Sequence, residues 1–385
     1  MPSELRVDKV SSTTSPYDPV FSTTGGALSH RNMVINGDMQ VWQRGTSSTA
    51  LSNSNTYVPD RFNCRAGVGS GHTAIRSTDV PTTGGASFSN SLKFTVGTGA
   101  TLSANSGNNY FYYAMEGYDS NPTKIGTAYA KIMTISFWVK ASVTGVYGFA
   151  VTNDANARTY AGSYTVGSAN TWEKHTITIP ASGAGGTWDT TNGRAITLLW
   201  NWGAGSDFKA SSAGWATADD RAGVDAGSSI HLVDGTHNGA TWYITGVQLE
   251  LGSVATPFEH KSFGEELTRC QRYYQKYENN SSAAALGTFK HAIGDGVWYQ
   301  SYQILGHMPY AQKRAVPAIS VADANTIVAY ANAAASTSAT TTCFDLITNS
   351  SARINVAAWD NNRTIGYGTH VIISSTKYIE INAEI

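Results

Sequence analysis

Apolar residues along most of the chain fall into short runs that end at Gly, Asn or Ser. Residues 134–141 and 174–179 show the clearest alternation, with apolar side chains at every second position. In the first segment these positions are Ile135, Phe137 and Val139. Successive side chains of a strand point to opposite faces of a sheet, so the pattern predicts strands with one buried and one exposed face. Such strands are typical of an antiparallel sandwich.

Further apolar runs predict strands on both sides of one break in the pattern. Those before the break are residues 91–96, 133–141, 145–152, 173–179, 195–202 and 241–251, and those after it are residues 296–305, 318–323, 342–348, 353–358, 370–374 and 378–381. Asn36-Gly37-Asp38, just after Met33, is a strong signal for a chain reversal and predicts that the first strands begin there. We therefore expect an all-β chain with a jelly-roll or β-sandwich domain and a small C-terminal β-sandwich.

The break itself, residues 262–277, has the spacing of a helix. Ser262 is the predicted N-cap, with Glu265 as its capping-box partner. An apolar stripe recurs at steps of three or four residues and comprises Phe263, Leu267, Cys270, Tyr274 and Tyr277. Because an isolated amphipathic helix must bury such a stripe, we expect it to pack against a neighbouring domain or to form the seam between subunits of an oligomer.

The sequence divides into four predicted parts. They are an extended N-terminal arm (1–31), a jelly-roll domain (32–260), a linking helix (261–282) and a C-terminal β domain (283–385). The arm has few large apolar residues and cannot bury a core of its own. It is either a disordered tail or an arm that becomes ordered on a partner.

The charge balance narrows the class of partner. The 385 residues include 26 basic and 27 acidic ones, a formal net charge of -1, so no whole-protein field favours nucleic acid or an anionic membrane. Cys64, Cys270 and Cys343 are far apart and form no CxxC motif, so neither a disulfide scaffold nor a zinc knuckle is predicted. The sequence shows no run of ~20 apolar residues and no signal-peptide core. We therefore expect no membrane span and synthesis without a signal peptide.

No sequence motif of a nucleotide-binding, zinc-protease or serine-hydrolase site occurs. Glycoside hydrolysis needs two facing carboxyl groups, and the loop candidates for it are Asp189, Asp207, Asp219, Asp220, Asp225 and Asp234. Such loop carboxylates are more often solvated or turn residues, so we expect no catalytic residues and a protein that is not an enzyme. The metal content stays open, because Asp219, Asp220 and Asp225 could provide oxygen ligands for a structural calcium ion. No other cofactor is expected.

Aromatic residues indicate a binding function. Sugar rings stack on Trp and Tyr because their C–H groups meet the negative face of the aromatic ring. Trp188 and Trp215 lie in predicted loops, whereas Trp200 falls in an alternating segment that favours the core. The Tyr-rich segment 110–118 is either an exposed binding ridge or a packed strand. The candidate glycan-binding residues are Trp188, Trp215, Tyr113 and Tyr118.

Several motifs resemble a domain found in bacteriophage tail-fibre and tail-associated proteins. The motifs, which together cover residues 32–277, are Asn32-Met-Val-Ile-Asn-Gly-Asp-Met39, Gln43-Arg44-Gly45, Asp60-Arg61-Phe62, Trp242-Tyr-Ile-Thr-Gly-Val-Gln-Leu-Glu250, Ala255-Thr-Pro-Phe-Glu259 and Cys270-Gln-Arg-Tyr-Tyr274. Between them, residues 135–141, 172–173 and 176–179 resemble the framework of jelly-roll carbohydrate-binding modules. The resemblance implies a two-sheet sandwich that binds glycans with its concave face or loops, often with a structural calcium ion.

The first residues, Ser3-Glu-Leu-Arg-Val-Asp-Lys9, resemble the start of tail-fibre-like proteins of marine phages. This resemblance implies that the arm attaches to other virion tail proteins, and we expect Leu5, Val7 and Val10 to make the contact. Phage fibres are usually homotrimers, so three copies are implied, in a virion assembled in the host cytoplasm. The implied function is that of a tail fibre, a receptor-binding protein that adsorbs to polysaccharide on the host surface.

Three other functions stay open. A purely structural head fibre, or a tail or baseplate connector, would bind only virion proteins. A tailspike depolymerase would cut the glycan. A secreted cellular carbohydrate-binding protein would need an export signal.

Overall fold

The computed structural model describes residues 30–48, 51–225, 229–278, 292–300, 303–322, 327–331, 335–358, 368–373 and 377–385. The predicted docking residues Leu5, Val7 and Val10 lie outside the described residues, and so do residues 279–282 of the linking segment.

Residues 47–251 form two antiparallel sheets that share one core. In chain order the strands are β1 (Ser47–Ser48), β2 (Thr56–Tyr57), β3 (Phe62–Ala66), β4 (Thr73–Ser77), β5 (Ser91–Thr95), β6 (Asn109–Glu116), β7 (Met133–Ala141), β8 (Gly145–Thr152), β9 (Thr159–Val166), β10 (Glu173–Ile179), β11 (Arg194–Asn201), β12 (Gly214–Ala216) and β13 (Thr241–Leu251). Sheet A has the order β1-β4-β5-β13-β7-β10, and sheet B has the order β12-β9-β8-β11-β6-β3-β2. A short helix, α1 (Gly117–Ser120), and 3-10 turns at Asn121–Thr123 and Ser206–Phe208 lie in the connections.

The core of this sandwich is built from alternate residues of the strands in both sheets. Ile135 and Phe137 of β7 are fully buried, as their alternation predicts. Trp200 is fully buried as well, and Trp202 stacks on Phe94 of sheet A with 3.7 Å between ring centroids. Each such aromatic side chain removes roughly 150–250 Å² from water. The predicted all-β sandwich is confirmed, and so is the assignment of Trp200 to the core.

All six strands predicted in this unit agree with observed strands to within one residue at each end. The segment that follows Met33 is different, because residues 33–42 contain no strand. Asn36 has a φ of 60°, and its carbonyl accepts a hydrogen bond from the Met39 N–H at 3.0 Å. The predicted reversal is therefore present as a turn, but the prediction that strands begin there is wrong.

Helix α2 spans Phe263–Gln271 and ends six residues before the predicted end at Tyr277. The Ser262 cap is confirmed, since its Oγ accepts a hydrogen bond from the Glu265 N–H at 3.3 Å. The chain then enters strand β14 (Tyr274–Glu278), which pairs with the last strand of the chain. Tyr274 and Tyr277 are three residues apart, a spacing that suits a helix and places them on opposite faces of a strand. The pairing with the last strand of the chain therefore overrides the helical spacing.

The chain itself covers most of the stripe that was predicted to form a subunit seam. Cys270 and Tyr274 are buried within this chain, which contradicts their assignment to the seam. Leu267 packs against the sandwich core, and Tyr277 is half-buried against the C-terminal unit. Phe263, with 54% of its surface exposed, is the member of the stripe that faces solvent.

The C-terminal unit contains two further sheets. Its remaining strands are β15 (Ala292–Gln300), β16 (Gln303–Pro309), β17 (Ala318–Val321), β18 (Ile327–Ala331), β19 (Ala335–Asp345), β20 (Ser351–Ala358), β21 (Gly368–Ile373) and β22 (Tyr378–Asn382). One sheet closes on itself in the order β15-β16-β20-β19-β18-β21, and β14-β22-β17 form the other. The predicted strand 296–305 is in fact a hairpin of β15 and β16. In the described part of the chain, no helix is long and apolar enough to cross a membrane.

The end of the chain joins the two units through a buried charged cluster, the C-terminal seam. The Glu384 carboxylate pairs with Arg61 and, at 3.3 Å, with Arg44. Arg61 is only 1% exposed, and its guanidinium carbon lies 3.4 Å from the centre of the Tyr273 ring. Burial lowers the pKa of Arg61, but the Glu384 carboxylate and the neighbouring tyrosines together outweigh burial and raise this pKa above its ordinary value.

Candidate functional site

Two of the predicted binding residues lie side by side at one edge of the sandwich. Trp188 is in the loop between β10 and β11, and Trp215 is in the edge strand β12. Their ring centroids are 6.0 Å apart, and the ring planes make an angle of 84°. Both side chains are half-buried, with part of each ring packed on the sandwich core and part exposed. We call this pair the Trp platform.

Backbone carbonyl groups fix the orientation of both rings. Trp188 Nε1 donates to the Gly185 carbonyl at 2.9 Å, and Trp215 Nε1 donates to the Pro180 carbonyl at 2.8 Å. The Arg158 guanidinium lies 5.6 Å from the centre of the Trp215 ring and donates to another carbonyl of the same loop. Groups that are already held in place lose little freedom on binding. The platform is therefore a preorganised stacking surface with a cation beside it.

Glycine is required at two positions that contact Trp188. Gly126 has a φ of +76°, and a Cβ atom there would lie 2.2 Å from Trp188 Cδ1. Gly186 has a φ of +74°, and its Cβ would lie 2.9 Å from Trp188 Nε1. Side chains at both positions would be strained and would displace the indole. Tyr129, three residues beyond Gly126, is 82% exposed.

The two tyrosines predicted for the site have different environments. Tyr118 is 56% exposed, and its N–H donates to the Thr191 carbonyl of the Trp188 loop at 2.7 Å. Tyr113 is fully buried, its hydroxyl accepts a hydrogen bond from the Ile35 N–H at 3.1 Å, and burial raises its pKa to about 12. A buried ring cannot stack on a sugar, so the assignment of Tyr113 to glycan binding is wrong. It lies on the face of β6 that points into the core.

The opposite face of β6 is covered as well. All residues of Asn109–Glu116 are buried, and Tyr110 and Tyr112 pack with the side chain of Ile385. The loop before β13 lies across β8 and β9, where the Val224 N–H donates to the Gly162 carbonyl at 3.0 Å. The Tyr-rich segment is thus a packed strand, and the chain itself occupies this part of the outer face of sheet B.

The loop carboxylates make turns and ion pairs. The Asp189 carboxylate accepts a hydrogen bond from the Thr191 N–H at 2.6 Å. Hydrogen bonds from this turn hold the pKa of Asp189 below its ordinary value. Asp225 pairs with Lys209 at 2.6 Å, and Asp219 pairs with a neighbouring arginine. Among the residues that the structure describes, no three His, Cys, Asp or Glu side chains are close enough to hold a metal ion together.

The motifs that carry the family resemblance meet in one buried polar cluster. Asn36 Nδ2 donates to the Asp60 carbonyl at 3.0 Å, and the Asn36 N–H donates to the Glu266 carboxylate of α2 at 2.5 Å. Asn32 Nδ2 donates to the Val247 carbonyl of β13 at 3.1 Å. Buried polar groups need such partners. These motifs therefore hold the beginning and the end of the sandwich to helix α2, which is a structural role.

Arg158 and Tyr129 were not indicated by the sequence. Each is a single residue in or next to a turn, without a surrounding pattern. Only the fold brings Arg158 to the loop that holds Trp188. The high density of Trp between positions 188 and 215 was the available signal for this part of the chain.

Comparisons with protein-family models and with curated proteins find no match. Among solved structures, the enzymatically active domain of tailspike protein 4 from bacteriophage CBA120 is similar at 16% identity and a TM-score of 0.30; the match covers 58% of this chain and 22% of that chain. A family 11 carbohydrate-binding module from Clostridium thermocellum is similar at 12% identity and a TM-score of 0.25, over 55% of this chain and 99% of that module. This chain thus spans about a fifth of the length of that solved tailspike chain.

Proposed function

We propose that this protein is a non-enzymatic fibre component of a phage virion that binds polysaccharide on the host surface through the Trp platform. The observation that carries the proposal is the pair of partly exposed indoles, each fixed by a hydrogen bond to a backbone carbonyl. The family resemblance of residues 32–277 supports the virion location, with the N-terminal arm attached to other tail proteins.

The chemistry of the platform suits a neutral sugar. Two indole faces at an angle of 84° can contact two faces of one sugar unit or two successive units. The Arg158 guanidinium beside Trp215 can donate hydrogen bonds to sugar hydroxyls. A single site of this kind binds weakly, but many linked copies on one virion gain affinity through multivalency.

Substitution of the platform tests the proposal. Trp188→Ala and Trp215→Ala should each weaken binding to host cells and to purified surface polysaccharide by about tenfold, the equivalent of 1.4 kcal/mol. Trp188→Phe, which keeps a stacking ring, should retain much of the binding. Thermal unfolding checks that each variant is folded. If folded Ala variants bind host cells as well as the wild type, the platform is not the receptor site.

The trimeric state belongs to the same proposal and has its own test. Light scattering of the purified chain should give about 123 kDa, three times the 41.0 kDa of one chain. A stable monomer would contradict the fibre proposal and favour a freestanding carbohydrate-binding protein.

A purely structural virion component is the second candidate. It is favoured by the observation that the motifs shared with tail-associated proteins are used for internal contacts, such as those of Asn36 and Asn32. A structural component would be incorporated into virions and would show no affinity for host cells. A depolymerase would release new reducing ends from the polysaccharide, which the same incubation detects.

A further inference from the structure

A row of cationic and aromatic side chains crosses the outer face of sheet A. Tyr243 of β13 pairs in register with Lys93 of β5 on one side and with Lys140 of β7 on the other. Lys140 Nζ lies 4.4 Å and Lys93 Nζ lies 5.6 Å from the centre of the Tyr243 ring. All three side chains are half-buried. We call Lys93, Tyr243, Lys140 and the adjacent Trp172 the sheet A patch.

Trp172 completes the patch beside Tyr243. The two rings meet edge to face with 6.0 Å between their centroids. Asp79 fixes this arrangement, because its carboxylate accepts a hydrogen bond from Trp172 Nε1 at 2.9 Å and also pairs with Lys140. The Lys140 ammonium therefore lies between two rings and a carboxylate, and little of its freedom remains to be lost on binding.

The charges on this face do not cancel. Lys174 of β10, which pairs with Trp138, lies on the same outer face and is exposed. Around Tyr243, three lysines thus stand against the carboxylate of Asp79. The Glu250 carboxylate lies at the other end of this face, where it is buried and accepts hydrogen bonds from Thr256. The part of this face at Trp138 is covered by the chain near Gly84 and Phe88. The open part of the outer face is therefore both aromatic and positively charged.

We propose that the sheet A patch is a second binding site, and that its ligand is an acidic polysaccharide whose sugars carry carboxylate groups. The exposed part of the Trp172 and Tyr243 rings provides a stacking surface for a sugar, and the ammonium groups of Lys93 and Lys140 pair with its carboxylate. Neutral glycans lack the charged partner. The patch is formed by sheet A, whereas the Trp platform lies at edge strand β12 of sheet B and its neighbouring loops.

This inference goes beyond the proposed function, and the two can fail separately. The probe is polygalacturonate, a polymer with one carboxylate per sugar. Fully methyl-esterified polygalacturonate has the same backbone without the charge and serves as the neutral comparison. Binding of the full chain is measured by calorimetry at low and at moderate ionic strength, because charge pairing at an exposed site weakens with salt.

Removal of the two lysines should abolish most of the binding to polygalacturonate. Lys93→Gln combined with Lys140→Gln should lower the affinity for polygalacturonate by about tenfold or more and leave binding of the esterified polymer unchanged. If the double variant fails to fold, Lys93→Gln alone takes its place, because it leaves the Lys140–Asp79 pair intact. This single variant should also lower the affinity for polygalacturonate. Trp172→Ala should weaken the binding as well.

The matched control removes two exposed lysines elsewhere. Lys124→Gln combined with Lys131→Gln has the same change in net charge, and Lys131 precedes the far end of β7, more than ~20 Å from Lys140 at ~3.3 Å per residue. This control should bind polygalacturonate as the wild type does. Equal losses in both double variants would show attraction by net charge alone and overturn the proposal. The proposal would also be overturned if the wild type did not bind polygalacturonate, whatever the Trp188 and Trp215 variants show.

Discussion

At the scale of single residues, Gly126 determines where the Trp188 indole lies. Gly126→Ala would place a methyl group 2.2 Å from Trp188 Cδ1 in a backbone with a φ of +76°. We expect a loss of roughly 1–2 kcal/mol from the backbone conformation alone and a further loss from displacement of the indole. Urea unfolding measures the first effect, and near-UV circular dichroism of the tryptophans measures the second.

Gly183 provides the matched control for this substitution. It has a φ of +62°, and no atom lies within 4 Å of the position that its Cβ would take. Gly183→Ala should therefore show the backbone cost without a change in the tryptophan spectrum. If the spectra of the two variants are the same, Gly126 does not position Trp188.

Lys313 is a buried base whose charge opposes folding. It is 1% exposed, and burial lowers its pKa from 10.5 to about 7, although the Glu384 carboxylate acts in the opposite direction. At a pH between these two pKa values, Lys313 is protonated in the unfolded chain and neutral in the folded chain. The contribution of Lys313 to stability is therefore complete above pH 10.5 and is lost as the pH falls through about 7.

Comparison with Lys313→Met isolates this contribution. Between about pH 7 and pH 10, the free energy of unfolding of the wild type should rise relative to that of the variant by up to ~1.4 kcal/mol per pH unit. Urea unfolding of both proteins across this range measures the difference. A difference that stays constant with pH would show that the pKa of Lys313 is not lowered.

At the scale of elements, helix α2 depends on its N-cap residue, Ser262. Ser262 Oγ accepts the Glu265 N–H, and one turn later Glu266 accepts the Asn36 N–H from the start of the sandwich. Ser262→Ala should lower the free energy of unfolding by ~1 kcal/mol, whereas Ser262→Asp, another good cap, should restore it. Urea unfolding of the three proteins decides this. Equal stability of the Ala and Asp variants would contradict a capping role for the side chain.

Short-range sequence patterns predicted those strands and the helix start that depend on neighbouring residues in the chain. The alternation in β7 and β10 fixes both their bounds and their buried faces, and Ser262 marks the start of α2. The end of α2 was not predictable in the same way, because Tyr274–Glu278 becomes a strand only through its pairing with β22, about a hundred residues later in the chain.

The candidate sites show the same division. The density of Trp residues indicated Trp188 and Trp215, but the strand register placed Tyr113 in the core. The sheet A patch was not predictable, since Lys93 and Tyr243 are far apart in sequence and become neighbours only through the pairing of β5 with β13. A sequence pattern predicts which face of a strand a residue occupies. Only the fold determines which residues of other strands lie beside that residue.

At the scale of the whole molecule, the C-terminal seam connects the two units. Arg314 donates to the carbonyls of Ala383 at 2.6 Å and of Glu384 at 3.0 Å, and it also bonds the Asn192 carbonyl in the loop that holds Trp188. The last residues of the chain are therefore held from both sides. The C-terminal seam and the Trp platform share this loop. A change that loosens the seam should therefore also shift the position of Trp188.

Glu384→Gln tests how much the seam contributes. The variant removes the negative charge that compensates Arg61, which has 1% of its side chain exposed. A buried charge without its partner typically costs about 3–5 kcal/mol, and we expect urea unfolding to show a loss of this size. Glu278→Gln breaks a partly exposed pair with Lys276 and should change the stability by no more than ~0.5 kcal/mol. If both variants are equally stable, water must reach Arg61 in solution, and the seam would then be a loose contact between two units that unfold independently.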